Sequence, residues 1–283
     1  MELTSPKTIK ALAAEFGFTF AKGLGQNFLT DAGVLDRIVE AAAPAEGVLE
    51  IGPGFGVLTY ALAQASEKVV SIEVDQRLSP VLEYTLHGLD NVKIVWDDIL
   101  KMDIPALLAR EFPEKRISVA ANLPYYITTP IVTRLLEARL PLKNIVVMVQ
   151  KEVAQRFCAP AGSKDYGAIS LLCQFYTEPS IVTAVPASRF FPAPKVDSAV
   201  VRFAMLDKPH ICVADERLFF RTVKAAFAQR RKTLLNCLAS AFQLEKPTVS
   251  QMLTEIGIDP GIRGERLGID EFGQIADRLV KIL

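Results

Sequence analysis

Histidine is nearly missing from this chain: there are two in 283 residues, His87 and His210, far apart in the sequence. That argues against a histidine-built metal centre, and no Ser-His-Asp or Cys-His arrangement for acyl transfer presents itself. The four cysteines, Cys158, Cys173, Cys212 and Cys237, are scattered, with no C-x-x-C pair among them. A zinc ribbon and a disulfide framework are excluded with it, and a reduced, cytoplasmic protein without metal is expected. No run of about eighteen apolar residues occurs, so no membrane span is expected. The first residues, MELTSPKTIKALAAEFGF, contain neither an apolar h-region nor an A-x-A-like cleavage site, which argues against a signal peptide. Ser5-Pro6 has instead the form of a helix N-cap with proline in the first turn. Net charge is absent too, 32 basic residues standing against 32 acidic ones. Contact with nucleic acid would therefore have to come from local clusters of cations.

What the chain does have is apolar residues, half of the total, and a regular rhythm in them. Short β-rich runs at 48–51, 68–73, 92–95, 117–121, 144–149, 181–185 and 198–203 alternate with helical patterns at 57–65, 76–86, 104–111, 129–138, 150–157 and 167–176. Near-continuous Val/Ile runs separated by helices mean a mostly parallel sheet covered on both faces. The last two runs have only a loop between them, which predicts antiparallel pairing. An α/β, Rossmann-like sheet of seven strands closed by such a hairpin is the plan of the class I S-adenosylmethionine-dependent methyltransferases, an analogy at the level of fold. After Asp207-Lys208-Pro209 the strand signals stop. Residues 215–240, 247–256 and 270–282 read as helices. Two domains are expected: a cofactor-binding methyltransferase domain over 1–206 and a small C-terminal all-α domain over 207–283 for recognition of RNA or ribosome.

The first strand runs into Glu50-Ile51-Gly52-Pro53-Gly54-Phe55-Gly56. A glycine-rich turn at that point, here through Gly52 and Gly54, lets a cofactor approach the backbone. The dinucleotide fingerprint is disfavoured by the G-x-G-x-G spacing. Pro53 also removes an N–H that a pyrophosphate would use, and Glu50 would repel phosphate while suiting the ammonium end of a methionine. Glu73, at the end of the second strand and roughly twenty residues past the glycines, is placed to accept from both ribose hydroxyls. Asp75 reads as a helix N-cap. At the end of the third strand, Asp97 and Asp98 are both candidates to accept from a cofactor adenine amine.

The fourth strand ends in Asn122-Leu123-Pro124-Tyr125. An adenine amine is a poor nucleophile because its lone pair is delocalised into the ring. Two acceptors gripping its hydrogens, the Asn122 amide oxygen and the Leu123 carbonyl, would free that lone pair, and Tyr125 offers a face for a flipped base. In-line displacement at a sulfonium then needs geometry more than a strong base.

These motifs resemble the KsgA-type ribosomal RNA small-subunit adenine dimethyltransferases. So do Gly25-Gln26-Asn27-Phe28-Leu29, Gln150-Lys151-Glu152-Val153-Ala154, Ser163-Lys164-Asp165-Tyr166-Gly167, the stretch Phe190 to Ser198, and Ala226 to Leu234, which together span almost the whole chain. The resemblance implies S-adenosylmethionine as cofactor, with Asn27 and Leu29 covering it from the N-terminal side. Gly52, Glu73, Asp98 and Asn122 would complete its site, Asp98 being favoured over Asp97. It implies that Phe190 flanks the target base opposite Tyr125, and that two adjacent adenines near the 3′ end of small-subunit RNA are each methylated twice. One departure is Trp96-Asp97, where relatives often have Gly or Gln before the acid.

On a helical wheel at 100° per residue, Arg217, Arg221, Lys224, Arg231 and Lys232 fall within about 100° of one another, while Phe219, Phe220, Val223 and Phe227 gather on another face. Arg230 falls on the apolar side of an ideal helix, which points to a break near Gln229; Arg221, Lys224, Arg230, Arg231 and Lys232 are the expected RNA contacts. A monomer acting on RNA inside a pre-ribosomal particle is expected, since a chain of zero net charge should bind naked RNA poorly. The rival readings are a large-subunit adenine methyltransferase of the antibiotic-resistance type, a non-catalytic assembly factor, and an NAD-dependent oxidoreductase.

Overall fold

Val48, Leu49, Glu50 and Ile51 are buried without exception, as a strand covered on both faces must be. The computed structural model describes residues 2–19, 26–44, 46–229 and 231–283. Its strands are β1 (Phe28–Leu29), β2 (Val48–Ile51), β3 (Val69–Glu73), β4 (Val92–Trp96), β5 (Ile117–Asn122), β6 (Leu142–Gln150), β7 (Thr177–Val185), β8 (Phe190–Phe191) and β9 (Ser198–Met205). Seven of them form one sheet in the order β4-β3-β2-β5-β6-β9-β7. The run β4-β3-β2-β5-β6 is parallel and β9 joins β6 antiparallel. β9 thus slots between β6 and β7, so the last two long strands are neighbours.

The helices Val57–Ala65, Ile104–Glu111 and Thr128–Glu137 fall within a residue of where the apolar periodicity puts them. Ser5 stands at the N-cap of Pro6–Glu15, although its side chain makes no capping bond. The helix Ala32–Ala42 was not anticipated. It is capped by Asp31, whose side chain accepts from Val34 N, and it buries Val34, Leu35, Ile38 and Ala42.

The chain divides into two compact units, Met1–Ala154 with Pro179–Met205, and Gln155–Glu178 with Leu206–Leu283. A boundary at 206/207 therefore misses a segment: residues 155–178 pack with the C-terminal helices. The reason is apolar. Tyr166, Leu171 and Phe175 are buried in the helical core with Phe219 and Phe272, Phe175 meets Phe219 at 4.9 Å between ring centroids, and the Tyr166 hydroxyl donates to Leu267 O at 2.9 Å.

Within that helical unit the expected helix over 215–240 is two helices, Glu216–Phe227 and Leu234–Phe242. The first buries Phe219 and Val223, as its apolar face requires, and the second is capped by Thr233. Lys224 is exposed in the last turn of the first helix, while Arg231 and Lys232 are exposed in the connection and not on a continuous wheel. Arg221 is engaged inside the unit: it donates to Ala241 O at 3.1 Å and stacks over the Phe242 ring at 4.5 Å. Arg230, like Gly25, lies outside the described residues.

Candidate functional site

Strand order reverses between β2 and β5, which lie side by side although β3 and β4 come between them in sequence. Crevices at such switch points are where open α/β sheets hold ligands. Ile51 pairs with Ala121 and with Ile72, so Gly52, Asn122 and Glu73 leave the sheet at one level. There they line a single cleft, of the concave kind in which small ligands are held.

Gly52 and Gly54 hold φ of 74° and 57°, backbone that glycine alone enters without cost. A Cβ on Gly54 would come within 2.7 Å of the Phe28 ring, whereas one on Gly52 would meet nothing within 4 Å. Gly54 is thus packed under the N-terminal segment and Gly52 faces open space. Glu73 is 6% exposed. Its Oε1 accepts from the N–H groups of Val74 and Asp75, both at 2.9 Å, and its Oε2 takes a longer bond of 3.4 Å from Gly54 N. Burial pushes this carboxyl up, and the backbone donors oppose the rise. Asp75 caps the turn that follows β3, as expected, and accepts from Arg77 N.

Asp97 and Asp98 both line the cleft, but they are held differently. Asp98 is half-buried; its Oδ1 accepts from Leu100 N at 2.9 Å and its Oδ2 pairs with Lys101 at 3.3 Å. The Leu100 N–H is the main cause holding its carboxyl below the usual range. Asp97 is exposed and accepts only from Asp98 N.

Asn122 is half-buried at the end of β5, and its Nδ2 donates to the Asn27 carbonyl at 2.9 Å. A carbonyl can only accept, so this bond fixes which way the amide faces. Among the described residues Oδ1 is left without a partner, and the Leu123 carbonyl accepts nothing either. Pro124 differs, its carbonyl taking Thr128 Oγ1 at 3.1 Å and Ile127 N at 3.2 Å. The Tyr125 ring lines the cleft while its hydroxyl shares a 2.8 Å bond with Ser198 Oγ. The turn therefore presents two adjacent free acceptors beside an aromatic ring.

Asn27 and Leu29 also line the cleft. Leu29 is placed by the β1–β8 pair, opposite Phe190, and Phe28 stacks on Phe55 at 4.6 Å. Two expected site residues are not brought there. Glu50 is fully buried, away from the cleft, and its Oε2 accepts from Thr59 Oγ1 at 2.7 Å and Ser71 Oγ at 2.5 Å. The cause is strand alternation: Ile51 takes the cleft face, which turns Glu50 to the other face beside its register partner Ser71. Phe190 is 4% exposed in the core of the first unit and does not line the cleft; facing Leu29 across the β1–β8 pair, it is drawn inward. Sequence reasoning missed Gln26, which lines the cleft and donates to Asp75 Oδ2 at 3.0 Å. It missed Tyr126 as well, a large aromatic 59% exposed on the same cleft, though Tyr125-Tyr126 beside the Asn122 turn was a visible signal.

Among the described residues no group of His, Cys, Asp and Glu is arranged to hold a metal ion, and no helix is long and apolar enough to cross a membrane. Comparison with solved structures finds a dimethyladenosine transferase from Plasmodium falciparum, 25% identical with a TM-score of 0.74, covering 88% of this chain and 95% of that one. It also finds the 23S rRNA methyltransferase ErmE, 27% identical with a TM-score of 0.69, covering 90% of this chain and all of that one. Two proteins named ribosomal RNA small subunit methyltransferase A are similar over nearly their whole length. The one from Alkaliphilus oremlandii is 45% identical over 99% of both chains. The one from Bacillus cytotoxicus is 48% identical over 99% of this chain and 98% of its own. The family model for ribosomal RNA adenine dimethylase matches residues 17–281, which take in the cleft, the Asn122 turn and the helical unit alike, and the chain belongs to that family.

Proposed function

We propose that this chain transfers methyl groups from S-adenosylmethionine to N6 of adenine in small-subunit ribosomal RNA, dimethylating two adjacent adenines near the 3′ end. The observation that carries this reading is the pair of unengaged acceptors, Asn122 Oδ1 and the Leu123 carbonyl, at the rim of a cleft fit for adenosine. The relatives that are nearly half identical are named for the small subunit, whereas the large-subunit enzyme ErmE is 27% identical, and this favours the small subunit.

The cleft suits the cofactor by shape and by donor set. Gly52 leaves room against the backbone, Glu73 can turn its buried carboxylate to a ribose, and Asp98 offers a half-buried acceptor to the adenine amine. Asn27, Leu29, Gly54 and the Asn122 backbone enclose it. When bound, S-adenosylmethionine supplies an electrophilic methyl on a sulfonium. The chain does the rest by position. Asn122 Oδ1 and Leu123 O each accept one hydrogen of the target amine, drawing the nitrogen out of conjugation, while Tyr125 stacks the flipped base. No side chain need act as a strong base, since the nitrogen sheds its proton once alkylated. Lys224, Arg230, Arg231 and Lys232 in the helical unit are assigned to phosphate contacts. The exposed Arg221 guanidinium ties two helices together through one N–H to Ala241 O and the Phe242 ring, and its remaining N–H donors are assigned to phosphate as well. With no net charge to draw in free RNA, the substrate is a shaped pre-ribosomal particle, met by a cytoplasmic monomer.

The test is incubation with labelled S-adenosylmethionine and unmethylated small subunits, followed by mapping of the modified bases. Dimethyladenine at neighbouring positions is expected, and label on cytosine or guanine would overturn the assignment. A narrower expectation concerns Glu73. Glu73→Gln keeps the volume but gives up a charged acceptor, so titration calorimetry should find S-adenosylhomocysteine bound about ten- to thirtyfold more weakly. Unchanged affinity would remove Glu73 from the cofactor site.

A further inference from the structure

The segment after β4 is a tight turn organised around Asp98. The Asp98 carbonyl accepts from Lys101 N at 2.8 Å and Met102 N at 3.0 Å, and its Oδ1 accepts from Leu100 N. The carbonyls of Leu100 and Met102 leave this turn on the side where Arg134 reaches it. The Arg134 Nη1 donates to Leu100 O and its Nη2 to Met102 O. One planar fork thus closes on two main-chain oxygens, a geometry that lysine cannot copy. The guanidinium spends these donors on carbonyls, and no carboxylate pairs with it among the described residues.

Arg134 belongs to the helix Thr128–Glu137, and the start of that helix grips the methyl-transfer turn. Thr128 Oγ1 and Ile127 N both donate to the Pro124 carbonyl. One helix therefore holds the base-gripping turn at its beginning and the Asp98 turn through Arg134 near its end. The positive charge of Arg134 also contributes to holding the Asp98 carboxyl below its usual range, after the larger effects of Leu100 N–H and Lys101.

We propose that Arg134 is the positioning residue for recognition of the cofactor's adenine. It clamps the Asp98 turn so that the Asp98 carboxylate meets the exocyclic amine of that adenine at a fixed place relative to Asn122. The proposal rests on the reading of Asp98 given above, and the experiment separates the two.

The probes are S-adenosylhomocysteine and its analogue lacking the 6-amino group, titrated calorimetrically against the wild-type chain, Arg134→Gln and Arg134→Lys. The wild type should prefer the amino compound by about tenfold or more, the worth of a hydrogen bond to a charged acceptor. Both variants should bind S-adenosylhomocysteine about tenfold more weakly and the analogue within about twofold of wild type, so that the preference collapses. A general loosening of the fold would weaken both ligands alike, and that result would overturn the proposal, as would a preference left intact. Arg134→Lys keeps the charge and provides the reading if Arg134→Gln does not fold. Should the wild type itself show no preference between the two ligands, the assignment of Asp98 falls first and the role of Arg134 falls with it.

Discussion

Replacing Asn122 with alanine is expected to lower methyl transfer to the small subunit by about a thousandfold, the scale on which loss of one preorganised polar partner of a transition state is felt. Binding of S-adenosylhomocysteine should stay within about fivefold, because the cofactor's charged and ribose contacts fall to other residues. The amide has two ends with different duties. Its nitrogen is tied to the Asn27 carbonyl at 2.9 Å, which orients the group before any substrate arrives. Its oxygen is unengaged and is the end that would accept a hydrogen of the target amine. Asn122→Asp separates these duties: it keeps an acceptor but sets a second oxygen against the Asn27 carbonyl, where a donor is needed. Its rate should lie between those of alanine and wild type, with the N-terminal cover less firmly held. Single-turnover rates with saturating cofactor read the chemical step directly. If alanine kept the rate within tenfold of wild type, the gripping of the amine by Asn122 would be refuted.

How much of this was legible in the sequence depends on how far apart the interacting residues are. The strands β2, β3, β5 and β6 announced themselves because burial on both faces demands apolar, Val/Ile-rich runs, and the half-buried edge strand β4 did so through Val92, Ile94 and Val95. The loop after β2 announced itself because left-handed backbone at Gly52 and Gly54 demands glycine. The helix Ala32–Ala42 was legible but unread: Asp31 is its N-cap and the apolar positions 34, 35, 38 and 42 have helical spacing. The β1–β8 pair was beyond reach, since two residues carry no periodicity and their partners are more than 150 positions away. β7 begins at Thr177, before the apolar run at 181–185, because Glu178, Pro179 and Ser180 lack the apolar signature of a strand. The insertion of β9 between β6 and β7 is likewise a property of the sheet and of no local segment.

The site divides along the same line. Glu73 and Asn122 close β3 and β5, Asp98 comes two residues after β4, and strand ends can be found from the pattern. What each side chain does there depends on alternation and on distant partners. Glu50 shows the limit. A carboxylate two residues before Gly52 reads as a ligand group, yet which face of β2 it takes is decided by which neighbour claims the cleft, and Ile51 claims it. Arg134 shows the same limit from the other side, for nothing in Thr-Arg-Leu-Leu marks it as a clamp on carbonyls more than thirty residues away. Arg221 was legible as a cation on the outer face of a helix and not as a strut, because the Phe242 ring beneath it belongs to the next helix.

Glu50 carries the second large expectation, on stability. Burial raises its carboxyl to about 7, against the opposing pull of the Ser71 and Thr59 hydroxyls. Its Oε1 is buried with no hydrogen-bond partner. The folded chain therefore holds the Glu50 proton more tightly than the unfolded chain, whose carboxyl titrates near 4.5. For an acid shifted upward the sign is fixed: stability is fully present below the unfolded value and declines as pH rises to the folded value. Between pH 5 and pH 8 the ionising carboxyl should remove about 3 kcal/mol from the unfolding free energy. Glu50→Gln abolishes the titration. The buried NH₂ that replaces Oε1 has a cost of its own, but that cost does not vary with pH, so the slope identifies the carboxyl whatever the offset. Urea unfolding of both proteins at pH 5, 6, 7 and 8 should show glutamine gaining on wild type by about 3 kcal/mol across the series. Affinity for S-adenosylhomocysteine should stay within about twofold, because the side chain faces away from the cleft. A stability difference that stayed flat with pH would mean that Glu50 ionises freely in the folded chain. A large loss of cofactor affinity would return it to the ligand role that the sequence offered and the sheet withdrew.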